Sequence, residues 1–230
     1  MRITLLLLAS LGAALLGTAR EPIPVTGVSA MLVSEPGTID LPRPLDRGRM
    51  TLEEAIAARR SVREFLPDPL TREALSQLLW AAQGVTSRDG RRAAPSAGAL
   101  YPLEIYVVLP SGSFRYDPSR HRLVPLSGED RRSALCRAAL DQPCIADAPA
   151  VLVLAADFER TESKYGRTRG PRYVHMEAGH AAQNVLLEAV ALGLAAVPVG
   201  AFDDAGVRAA LALPENREPL YLIPVGRPRP

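Results

Sequence analysis

A chain of 230 residues, 47% hydrophobic and 23% charged, is long enough to bury a real core as one generous domain or two small ones. Its 27 basic and 25 acidic residues leave a formal charge of only +2, with no dense Lys/Arg block, which excludes the electrostatic footprint of a nucleic-acid partner. Two cysteines without a C-x-x-C pair and three histidines leave too few ligands for a structural metal site.

The chain opens with Arg2, an apolar run from Ile3 to about Gly17, and the small residues Gly17, Thr18 and Ala19, the layout of a secretory signal peptide over residues 1–19. The run is shorter than the ~20 residues that span a bilayer. It therefore reads as a cleaved leader rather than an uncleaved membrane anchor, and the mature protein is expected in the periplasm or outside the cell. Residues 20–50 are rich in Pro and Gly without sustained period and read as an extended arm or linker before a packed domain over 51–230.

In that domain "TLEEAIAARR" predicts a helix with Thr51 as N-cap, Glu54 completing a capping box, and Leu52, Ala55 and Ile56 on one face. "LTREALSQLLWAAQG" predicts a second, capped by Thr71 and ended by Gly84. A strand follows over 103–110, then a hairpin over 113–126 turning at Asp117, Pro118 and Ser119, and a polar helix from about Glu129 to Leu140. Cys136 and Cys144 are either a disulfide or two small buried thiols; spacing does not decide. "APAVLVLAADF" is a buried strand over 148–158, and an Ala-rich helix runs from Arg172 to Leu194. Strands at 195–200 and 219–226 flank a short helix capped by Asp203 or Asp204. Helices and strands alternate without a strict β-α-β rhythm, so the class is α+β.

His175, Glu177 and His180 suggest a metal, but five helical residues put the two histidines about 140° apart, off any shared face. Ser96 lacks a G-x-S-x-G elbow, and no dinucleotide or nucleoside-triphosphate loop is present. What stands out is "AARRSVREF", where Arg59, Arg60, Ser61 and Arg63 gather where the first helical pattern stops. A helix dipole accounts for one or two cations at ~0.3–1 kcal/mol each. Arg63 lies beyond the pattern, and several guanidinium forks beside a hydroxyl suit an acceptor-rich anion such as phosphate.

"RRSVREF", "PSAGALYPLEIYVV", "EAGHAAQN", "VPVGAFDD" and "LYLIPVGRP", in that order, resemble the nitroreductase family of FMN flavoproteins from Thr51 to the C-terminus. "PSAGALYP" and "SKYGRTRGPRYVHMEAGHAAQN" are most similar to its SagB/ThcOx-type dehydrogenases. The resemblance implies a nitroreductase-like fold, a central mixed or antiparallel sheet flanked by helices, in an intertwined homodimer with two flavins between subunits. It implies that Arg59 and Arg227 hold the FMN phosphate, that Arg60 and Ser61 bind phosphate or ribityl groups, and that Arg63 reaches the ribityl chain or the N1/O2 edge. A cation at that edge raises the flavin's potential. Pro95, Ser96, Ala97 and Gly98 would lie along the flavin, often from the partner subunit, and the amides around Gly200 and Ala201 would face N5. The helix carrying Gly179, Ala181, Ala182, Gln183 and Asn184 would serve the dimer interface or the core. Lys164 and Tyr165 would be the catalytic pair acting on substrate protons; read from residues alone they sit in a charged, exposed loop.

The expected activity is an FMN-dependent dehydrogenase or oxidase passing hydride between a small or peptide-derived substrate and flavin N5. The alternatives are an NAD(P)H-dependent nitroreductase or quinone reductase, and a non-catalytic flavin or small-ligand binding protein of the envelope. An exported enzyme is remote from cytosolic NAD(P)H, which favours oxidation of a substrate. The short Pro-rich arm departs from the peptide-azoline oxidases, which carry longer N-terminal sequence.

Overall fold

The computed structural model describes residues 37–230, so the predicted signal peptide and most of the arm lie outside the described residues. Seven strands form one sheet in the order β1 (Ile39–Asp40), β4 (Arg122–Ser127), β3 (Gly112–Asp117), β2 (Leu103–Leu109), β5 (Ala150–Ala156), β7 (Glu218–Gly226), β6 (Ala195–Ala196), every neighbouring pair antiparallel. Of the two arrangements expected, the sheet takes the antiparallel one. β5 lies inside the sheet between β2 and β7, and its unbroken apolar run is buried on both faces. Leu152 and Leu154 point to a layer made by helices α2 (Arg72–Gln83) and α5 (Phe158–Ala191). Val151 and Val153 point to the other, made by α3 (Arg132–Ala138), α4 (Pro143–Asp147) and α6 (Asp204–Leu211). Among the described residues no helix is long and apolar enough to cross a membrane.

The capping chemistry is as the sequence predicts. Thr51 closes α1 (Leu52–Ala58) with a full capping box to Glu54, Thr71 accepts from the Ala74 amide, and Asp203, not Asp204, caps α6. Gly84 does end α2, but at φ −63 rather than in a left-handed turn. A Cβ there would lie 2.4 Å from the Trp80 ring, so close approach to Trp80 is what demands glycine.

Elsewhere the boundaries move. The helix expected over Glu129–Leu140 is present but shorter, Arg132–Ala138, because Leu140 and Asp141 both take φ +56, and a second short helix, α4, then opens at Pro143. The strand expected over 195–200 stops at Ala196, and only Val199 returns to pair with Leu222. Cys136 and Cys144 are free thiols, both pushed up in pKa by burial. The described end of the arm is part of the sheet: β1 pairs with β4, Gln77 clasps Leu45 at both N–H and C=O, and Arg72 donates to the Asp40 carbonyl.

The largest departure is α5. The strand before it ends at Ala156, and the charged tract expected to be a loop is helical from Phe158. Helical geometry breaks at Gly166 (φ 74, ψ 165). A Cβ on Gly170 would sit 2.9 Å from the Cα of Glu162, whereas eight residues of straight helix rise ~12 Å. Residues 158–165 therefore fold back sharply on 167–191. Edge-on ring contacts of Phe158 with His175, at 5.5 Å, and of Tyr165 with Tyr173, at 4.9 Å, close the corner. Glycine serves at both positions, at Gly166 for its positive φ and at Gly170 for want of room.

Candidate active site

The arginine cluster leaves α1 and immediately meets the far edge of the sheet. Ser61 forms a bridge with Ala196, the Val62 amide donates to Ala196, and Phe65 bridges Pro228. The Leu66 amide donates to the Arg227 carbonyl at 2.9 Å and the Arg229 amide to Glu64 at 3.1 Å. The strip carrying Ser61 and Arg63 is thus stitched to the chain that carries Arg227, joining residues widely separated in sequence. Arg60, Ser61 and Arg63 are exposed and Arg59 is half-buried.

These cations differ in what they already do. Arg60 donates to the Ala57 and Arg59 carbonyls, at 2.9 and 2.8 Å, and so serves the end of α1. Arg227 pairs with Asp68. Arg59 and Arg63 meet no carboxylate among the described residues. Two guanidinium groups that no carboxylate among the described residues pairs with, a hydroxyl and a third, exposed cation on this stitched strip are the donor types that suit a phosphate. Gly200 and Ala201 are exposed, and neither amide has an acceptor among the described residues. A Cβ on Gly200 would meet only the Tyr221 ring, at 3.8 Å, so the chain's own packing does not require glycine there.

Pro95–Gly98 leads into a turn, Ala97–Ala99, in which Gly98 takes φ +62 and Ser96 Oγ accepts from the Tyr101 amide at 2.9 Å. Lys164 and Tyr165 arrive from the other side. A Cβ on Gly98 would lie 2.7 Å from Lys164 Nζ and 2.8 Å from the Tyr165 hydroxyl. The fold-back at Gly166 is what delivers the pair. Its base is braced by Arg217, which holds Glu104 at 2.9 Å and Asp157 at 3.0 Å, and by Arg160, which donates to the Tyr101 carbonyl at 2.8 Å. Thus the structure brings Lys164 and Tyr165 onto the Pro95–Gly98 turn within one chain, and gathers the arginines separately along the β6–β7 edge.

Sequence reading treats Glu177 only as part of an unconvincing metal pattern. Among the described residues no group of His, Cys, Asp and Glu side chains is placed to hold a metal ion. Glu177 is nevertheless 2% exposed and lies behind the turn. Gln83 donates to it at 3.3 Å, and the nearby Ser96 hydroxyl also favours its carboxylate. Burial outweighs these contacts and the nearby Arg92 and Arg160, pushing its pKa up to about 7. The available signal was an acidic residue on the apolar stripe of a helix. The residues expected at a dimer interface divide: Ala181 and Ala182 are buried in the core of this one chain, Asn184 donates to the Ala81 carbonyl at 3.0 Å, and Gln183 is exposed.

The sequence model described as "Nitroreductase family" matches residues 56–227. The nitroreductase-type protein MJ1384 of Methanocaldococcus jannaschii is 50% identical over 188 residues, covering 79% of this chain and 93% of that one. Among solved structures, a nitroreductase-type protein of Ralstonia eutropha superposes with a TM-score of 0.79 at 34% identity, covering 86% of this chain and 92% of its own. The NADPH:FMN oxidoreductase of Vibrio harveyi, complexed with NAD+, superposes with a TM-score of 0.60 at 26% identity over 78% of this chain and 69% of its own.

Proposed function

This chain belongs to the nitroreductase family, and from that premise we propose that it is an FMN-dependent oxidoreductase that oxidises a small or peptide-derived substrate in the manner of the SagB/ThcOx dehydrogenases. The observation that carries the reading is the Lys164 and Tyr165 pair held against Gly98. Bound FMN supplies a two-electron acceptor for hydride. Arg59 and Arg63, which meet no carboxylate among the described residues, together with Ser61, are the groups to hold its phosphate and ribityl chain. Arg227 joins them by exchanging Asp68, and Arg60 contributes from the helix end it caps. The unused amides of Gly200 and Ala201, with no side chain over Gly200, fit a ring approaching the backbone. Lys164 and Tyr165 would take up the substrate proton, since Nζ and the hydroxyl reach the same point of the turn.

The exposed apolar side chains Leu52 and Ile56, 60% and 57% accessible on α1, with Met176 on α5, support burial of this face in a homodimer. With the predicted signal peptide, the mature enzyme would work outside the cytoplasm.

A second reading, reduction of nitroaromatics or quinones by NAD(P)H, is favoured by the NADPH:FMN oxidoreductase likeness. An absorption spectrum of the mature protein, with the chromophore identified after heat release, tests the common core: about one FMN per chain is expected, and a colourless protein that takes up no FMN would overturn it. Anaerobic mixing separates the readings. Rapid bleaching by NADPH that survives Lys164→Ala and Tyr165→Phe would displace the dehydrogenase assignment. Substrate-driven bleaching slowed on the order of a hundredfold by either change would support it.

A further inference from the structure

The loop that carries Gly200 and Ala201 is held at three points, and one of them is a side chain. Val199 exchanges both backbone bonds with Leu222, at 2.8 and 2.9 Å, and the Asp203 amide donates to the Ala138 carbonyl at 2.8 Å. Between these ends the Ala201 carbonyl accepts from Gln142 Nε2 at 3.0 Å, and the same nitrogen donates to the Ala139 carbonyl at 2.9 Å. Both partners are carbonyl oxygens, so only the nitrogen end of the side-chain amide fits, and both its protons are spent. The amides of Gly200, Ala201 and Phe202 meanwhile have no acceptor among the described residues. The turn that delivers Gln142 is left-handed at two successive L-residues, Leu140 and Asp141, whose side chains are both exposed and gain nothing by burial. It is held by the Asp141 amide on the Cys136 carbonyl at 2.9 Å, the Gln142 amide on the Ala139 carbonyl at 3.2 Å, and Cys136 Sγ donating to the Gln142 carbonyl at 3.3 Å. Close packing of α3 on α6 sets the spacing: a Cβ on Gly206 would come within 3.0 Å of the Ala138 methyl.

We propose that Gln142 is a positioning residue that, by holding the Ala201 carbonyl, fixes the direction of the unused amides in the Gly200–Phe202 loop. The inference rests on the reading that these amides face the reacting edge of FMN. A carbonyl and the next residue's N–H share one plane and point opposite ways across a trans peptide. With the Ala201 carbonyl turned to Gln142, the Phe202 N–H is therefore directed away from the α3–α4 turn. The Ala201 N–H has only the two dihedrals of its own residue left to move, and Val199 is pinned just before it. Because both its protons are spent on carbonyls, Gln142 acts through the loop and not on the cofactor. Donors held rigid in this way act on the ring without reorganising at the moment of reaction.

Two measurements test the loop and the flavin separately. In the apoprotein, backbone amide order parameters over Gly200–Phe202 should fall from the rigid range, about 0.85, to below about 0.6 in Gln142→Leu and in Gln142→Glu, with β5 unchanged. A loop that stays rigid in both variants overturns the proposal whether or not flavin binds. In the FMN-loaded protein, sulfite, which adds at flavin N5, should bind on the order of tenfold more weakly in both variants, the effect of one lost hydrogen bond. FMN affinity should stay close to wild type, because the arginines lie on other elements. A merely structural role would lower FMN affinity or the melting temperature and leave sulfite binding alone, and that result overturns the proposal. Gln142→Glu keeps the shape of a half-buried side chain and removes only its donors, so it decides the outcome if Gln142→Leu folds poorly. A loosened loop in a protein that takes up no FMN overturns the flavin reading, and with it the role of Gln142 toward N5, while the hold on the loop stands.

Discussion

At Gly98 a methyl group has nowhere to go without disturbing the candidate catalytic pair. Its φ of +62 costs an L-residue ~1–2 kcal/mol, and the added carbon would press on Lys164 Nζ and the Tyr165 hydroxyl. Both are ends of flexible side chains and can move aside. Gly98→Ala is therefore expected to fold with a stability loss of ~1–2 kcal/mol and to keep its flavin, while turnover falls on the order of tenfold to a hundredfold. A thermal melt, a flavin count and kcat check this together. Gly200 is the contrasting case. The fold has room for a methyl there, at 3.8 Å from Tyr221, so Gly200→Ala should leave the melting temperature nearly unchanged and weaken uptake of FMN by the apoprotein. An unchanged FMN affinity would remove Gly200 from the site.

At the scale of elements, the bent α5 does the positioning. The methyl of Gly170→Ala would fall 2.8–3.0 Å from Glu162 side-chain and backbone atoms, and backbone does not yield cheaply. Such overpacking costs ~1–3 kcal/mol and opens the corner. The expected result is a lower melting temperature together with slower turnover at unchanged FMN content, because the arginine edge lies on other elements. The sequence showed α1, α2, the hairpin and the caps clearly, since their signals are local: Thr51 with Glu54, Thr71, and the Asp117–Ser119 turn. It showed the charged run of Lys164 and Tyr165 as a loop, because nothing local reports that Gly170 is packed on Glu162 and Thr161 is buried. The arginines were legible as a cluster of charge. Arg227 joins them only through β-bridging across the whole domain, and the Glu177–Gln83–Arg92 chain spans three segments that no short window contains.

Over the whole molecule, the buried acids shape stability against pH. Folded Glu177 keeps its proton up to about 7, whereas the unfolded chain releases it near the ordinary 4.5. Between those values the native state binds more protons, so stability falls as pH rises through this window and levels above it. Glu188, also pushed up by burial, adds to the slope. On the acid side, Arg132 holds Asp130 below its ordinary value. Burial opposes the same effect at Glu104 and Asp117, but hydrogen bonds from Arg217 and Ser119 outweigh it. Those contributions are present above the ordinary carboxylate range and are lost as pH falls. The melting temperature should therefore peak in mildly acidic solution, at about pH 5, and Glu177→Gln should flatten the decline toward neutral without abolishing it. A wild-type melting temperature that rises from pH 5 to 7 would contradict this. The sheet order carries a further consequence, one of timing. β5 pairs with β2 early in synthesis but waits for β7, made some 60 residues later, to cover its second edge. During that interval the uncharged stretch AVLVLAA presents an open, β-prone edge, the kind of template on which other chains nucleate. Yield during production, and the need for a holding chaperone, should then depend on how quickly the last strand reaches the sheet.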